Sequence, residues 1–113
     1  MSQNQPLTDE QKLTVTHYVE PGCLGPDGKD HIEAFCQHAQ KVIEAIDPEF
    51  VNWVIKPRYD KSVDDTQYHF ANKRLTEAQA AKYLARFGQD IDEFEEQFND
   101  QIMHEIEEFL GRG

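Results

Sequence analysis

Five residues able to do chemistry gather in the first third of the chain: His17, Cys23, His31, Cys36 and His38. Cys23 lies in the glycine-rich loop PGCLGPDGKD, ahead of a segment with helical spacing. The free amides and positive end of such a helix favour a thiolate. With His17 as the base, should the end of the preceding strand and the loop meet, the pair would form a small thiol-dependent enzyme or ligand-binding domain centred on Cys23. Against this, Asp30, the expected helix cap, stands seven positions beyond Cys23, and no flanking signature of a thiol enzyme is present. The loop also has a plain structural use, turning the chain from strand to helix. Cys23 and His17 are thus candidates only, and no residue is assigned as catalytic.

The same cluster makes a poor metal site. Its spacing, Cys23-x7-His31-x4-Cys36-x1-His38, matches none of the usual zinc arrangements. His31 and His38 are two helical turns apart, roughly 10 Å along an axis, too far to share one ion. No metal and no cofactor is expected. The two histidines instead share a flank with Ala34 and Ala45, a shallow polar groove in which another element or a partner could rest.

A second constellation closes the chain. In the segment DIDEFEEQFNDQIMHEIEEF, Ile91, Phe94, Phe98, Ile102, Ile106 and Phe109 recur at helical spacing and form one apolar stripe. Nine acids share this helix, among them Asp92, Glu93, Glu96, Asp100 and Glu107, with no lysine or arginine before Arg112. Paired with the preceding helix it invites comparison with a helix-turn-helix, but such a recognition helix would be pushed away from phosphates. Nor is it an EF-hand, since the glycine and closing glutamate of that loop are missing. A solvated outer face is the ordinary reading. The functional one is an electrostatic docking surface for a basic partner or for the basic segment of a second copy, with complementarity guiding encounter and register. Glu105 interrupts the stripe, which suggests exposure or a dimer contact in the last turns.

Charge supports this choice. The net charge is −11, distributed as −6 over residues 1–55, +3 over 56–86 and −8 from 87 onward. That surface repels nucleic acid and anionic lipid. The aromatics Tyr18, Trp53, Tyr59, Tyr68 and Phe70, on or beside expected strands, accordingly read as core or subunit contacts rather than base-stacking platforms.

Three helices and three strands must position these groups. Residues 1–11 lack periodicity and read as a flexible leader to a single domain over 12–113. Leu13, Val15, His17 and Val19 alternate with Thr14, Thr16 and Tyr18 in a first strand. A helix follows, with Asp30 as cap, Glu33 closing a capping box and Asp47-Pro48 ending it. The segment containing Val51, Trp53, Val54 and Ile55 is extended and contains Pro57, so it belongs at a sheet edge. It pairs as a hairpin with the strand from Thr66. Thr76 and Gln79 open the next helix and Gly88 stops it.

The order β-α-β-β-α-α defines an α+β, two-layer fold with a small three-stranded sheet in the order 1-3-2. Two cysteines, no long apolar run and the polar start MSQNQPLTDEQK point to a cytoplasmic protein with reduced thiols. The function expected is contact with a protein partner or self-association: a homodimer, an accessory or regulatory subunit, or a nucleic-acid mimic acting through carboxylates. No membrane partner is expected, and direct nucleic-acid binding is disfavoured.

Overall fold

A computed structural model describes residues 7–60 and 62–111. Its strands are β1 (Leu13–Val19), β2 (Val51–Pro57), β3 (Thr66–Phe70) and β4 (Lys73–Leu75), and its helices α1 (Gly28–Ile43), α2 (Glu77–Ala85) and α3 (Ile91–Phe109). The domain is α+β, but the sheet has four strands in the order β2-β1-β3-β4. This corrects the expected three strands in the order 1-3-2. Of the expected leader, residues 1–6 lie outside the described residues and Asp9–Gln11 forms a short 3-10 turn.

The correction has a physical cause. β1 pairs in parallel with β2, Val15 opposite Trp53, and antiparallel with β3, Val15 opposite Tyr68. A parallel pair needs a long crossover between its strands, and α1 supplies it. β2 and β3 therefore flank β1 and do not form a hairpin. The hairpin is β3–β4, closed by Ala71 and Asn72, whose φ values of 51° and 68° suit a two-residue turn of the primed kind. The proline-bearing strand does lie at an edge, where Pro57 leaves no inner ladder bond unmade.

α1 starts earlier than expected, with Asp27 rather than Asp30 at its cap position and no side-chain cap bond. Gly28 explains the early start. A Cβ there would stand 1.8 Å from the Pro21 carbonyl oxygen, so only glycine lets the helix begin against the Pro21–Leu24 turn. At the other end the regular helix stops at Ile43, and the chain turns through Ile46 and Asp47 into β2. α2 has the expected capping box: Thr76 Oγ1 accepts from the Gln79 amide, and the Gln79 side chain accepts from the Thr76 amide.

The core lies between one sheet face and the helices. Val15, Trp53 and Tyr68 share that face with Leu13 and Ile55, and Phe35, Ile32, Leu84, Phe94 and Phe98 cover it. Trp53 stacks on Phe94 at 5.4 Å and meets the edge of Phe98 at 5.2 Å. The opposite face presents Thr14, Tyr18, Asn52, Val54, Gln67 and His69, all half-buried, with Lys56 and Arg74 exposed at its ends. Among the described residues no helix is long and apolar enough to cross a membrane.

Candidate functional site

Two places collect the groups singled out in the sequence: the outer face of α3 and a cleft at the carboxyl end of β1. α3 is fixed at its start by Asp90, whose carboxylate accepts from the Glu93 amide at 3.2 Å. Its inward side buries Phe94, Phe98, Ile102 and Ile106. With that side committed to the core, Asp92, Glu93, Glu96 and Asp100 are exposed, and Glu107 is half-buried. Asp92 and Glu93 lie in the first turn, where the helix dipole favours them. Glu107 and Glu108 are at the other end, where the dipole disfavours acids, and no basic residue occupies the last turn. Glu108 faces the exposed His104 ring, with 3.7 Å between Oε2 and Nε2.

Glu105 is buried within the chain, which corrects the expectation that it is exposed. It is 4% exposed, and its Oε1 stands 2.8 Å from His38 Nε2 while its Oε2 accepts from Gln101 Nε2 at 2.8 Å. Phe109 of α3 borders the groove on α1 that contains His31 and His38, and both histidines stay exposed. Phe109 sits 6.4 Å from His31, 6.3 Å from His38 and 5.4 Å from Phe35, ring centre to ring centre. His38 thus serves the contact between α1 and α3 and does not line the cleft that contains Cys23.

His17 and Cys23 do line one cleft, with Glu20, Arg58, Asp65, Asn99, Ile102 and Met103 around them. The His17 ring meets Phe98 edge-on at 5.3 Å and shares a hydrogen bond of 3.0 Å through Nδ1 with Thr66 Oγ1. Burial lowers its pKa below the ordinary imidazole value, partly opposed by the nearby Asp65 carboxylate. The imidazole is accordingly neutral at pH 7, as a base must be. Cys23 is exposed on the Pro21–Leu24 turn. Its thiol makes no hydrogen bond to His17 or to any other described residue, so the nucleophile–base bond that marks an activated thiol is not formed. Cys36 is buried in α1, and burial, with the Glu33 carboxylate adding to it, pushes its thiol up to about 11.

Arg58, read in the sequence as one of the basic residues of the 56–86 segment, has a structural use that the sequence did not show. It follows β2, and its guanidinium bridges Glu20 at 3.3 Å and Asp65 at 2.8 Å, tying the ends of the parallel pair together. The register that makes this possible, Val19 opposite Pro57, depends on parallel pairing. Glu105 did leave a signal, as the polar break in the α3 stripe, but its partner lies 67 positions away.

Comparison of the chain with protein-family models, with curated proteins and with solved structures returns no match.

Proposed function

We propose that this protein is an acidic docking domain that presents the outer face of α3 to a basic surface of a protein partner. One observation supports the reading: the α3 stripe is consumed by the core, and the outward side of its first turns carries Asp92, Glu93, Glu96 and Asp100, all exposed. The partner is a protein with clustered lysine and arginine; a second copy, offering Lys73, Arg74, Lys82 and Arg86, is one form of it. A mimic of nucleic acid, occupying the phosphate-binding surface of a DNA-binding protein, is another.

The test compares the chain with a variant carrying Asp92→Asn, Glu93→Gln, Glu96→Gln and Asp100→Asn, all at exposed positions. Proteins retained by immobilised wild type at low salt should be released as salt screens the contact and should not be retained by the variant. Identical retention by both proteins contradicts the proposal. Light scattering separates the forms, since a homodimer has twice the mass of one chain at low salt.

A second reading rests on the shared cleft of His17 and Cys23. It makes the protein a thiol-dependent enzyme or a small-ligand binder. Alkylation distinguishes the two: under the docking reading Cys23 reacts with iodoacetamide no faster than a free thiol, whereas a catalytic Cys23 reacts much faster.

A further inference from the structure

The geometry points to a binding site for one divalent transition-metal ion of the zinc class, held by His104, Glu105 and Glu108 near the end of α3. One donor atom from each of the three side chains lies within 4.8 Å of the other two. His104 and Glu108 are one helical turn apart, with Nε2 and Oε2 separated by 3.7 Å, and Glu105 lies between them in sequence. Tetrahedral ligands at zinc bond lengths stand about 3.4 Å from one another, so small side-chain rotations close the set around an ion.

Two features separate this group from an ordinary row of surface carboxylates. Glu105 is buried in a stripe otherwise made of Phe and Ile, and its carboxylate is held on both oxygens, by His38 and by Gln101. A carboxylate oxygen has two lone pairs, so each keeps one to give. Fixing a ligating carboxylate through hydrogen bonds from outer residues is how metal sites are kept in shape. His104 supplies the second feature, an exposed imidazole whose Nε2 faces the Glu108 carboxylate. A mixed nitrogen and oxygen set selects zinc and its neighbours, whereas Mg²⁺ and Ca²⁺ take oxygen donors alone. The surrounding charge of −11 raises the local concentration of any cation. Three protein ligands leave a fourth position for water or a group from outside.

His38 acts here as a positioning residue, holding Glu105 without touching the ion. The site is independent of the docking proposal, whose test residues it does not include.

Calorimetric titration of the untagged chain with Zn²⁺ tests the inference, alongside His104→Ala, Glu108→Gln and His38→Ala. The first two replace exposed side chains, 59% and 53% accessible, so their fold should persist, and circular dichroism checks that it does. One Zn²⁺ should bind per wild-type chain. Affinity should fall at least tenfold in His104→Ala and Glu108→Gln, and about tenfold in His38→Ala. Zn²⁺ should raise the thermal midpoint of the wild type and leave that of His104→Ala unchanged. No uptake by the wild type, or uptake that His104→Ala and Glu108→Gln leave unaltered, overturns the assignment; the latter would place the ion at the cysteines or at other carboxylates.

Discussion

His17 shows how one side chain links the sheet to the pH response of the whole domain. Its ring is enclosed by Phe98 and the end of β1, and burial holds its folded pKa below 6.5, the value it takes when exposed. In the unfolded chain it gains a proton as pH falls through 6.5; in the folded chain it does so only at lower pH. Stability is therefore undiminished above 6.5 and is lost progressively below it, by at most about 1.4 kcal/mol per pH unit from this one proton. Urea unfolding at pH 7.5 and 5.0 should show a smaller acid loss in His17→Gln than in the wild type. Equal losses would remove His17 as the cause. Gly28 supports a sharper prediction, because a methyl group there meets backbone rather than a side chain that can swing away. Gly28→Ala should lose about 3 kcal/mol, the upper end of overpacking costs, even though alanine is the better helix former. A variant as stable as the wild type would show that α1 does not start against Pro21.

Among the elements, the exposed edge of β2 is protected by a side chain. Gln40 of α1 donates from Nε2 to the Trp53 carbonyl at 2.8 Å and accepts at Oε1 from the Ile55 amide at 2.9 Å, taking the place of a neighbouring strand. Gln40→Ala would leave both backbone groups without their partner. It should cost about 2 kcal/mol in urea unfolding and promote self-association through the bared edge. The β3–β4 turn offers the opposite kind of change. Ala71 is held at positive φ, which costs a residue with a Cβ about 1 kcal/mol or more, so Ala71→Gly should stabilise by about 1 kcal/mol. No gain in the urea midpoint would contradict this turn geometry.

These elements also show where a sequence informs and where it is silent. β1, α2 and α3 were legible because their apolar spacing and caps are local properties; the Thr76–Gln79 box and the Asp90 cap lie within four residues of what they satisfy. β4 was not, being three residues long with Lys73 and Arg74 exposed, after a turn that lacks the glycine expected of it. Strand order failed for a different reason. Pro57 required an edge and β2 has one, but either neighbour would have satisfied that condition, and only the crossover through α1 selects β1.

On the scale of the whole molecule, all three helices gather on one sheet face, and α3 turns a row of exposed acids outward from it. Asp92, Glu93, Glu96, Asp100 and Glu108 of α3 are exposed while Glu105 is buried, and Lys56 and Arg74 bound the open sheet face. The acidic stripe could be read from the sequence, since one helix carries it. The meeting of His17 with Cys23, and of His38 with Glu105, could not, because each depends on how distant elements pack. The docking proposal follows from this sidedness, and position-specific crosslinking in cells that make the protein tests it most directly. A photoreactive amino acid at Glu96 or Asp100 should yield a crosslink to a basic protein, while the same group at Gln67 on the open sheet face should yield none. A crosslink from Gln67 alone, or none from either side of the molecule, would contradict the account.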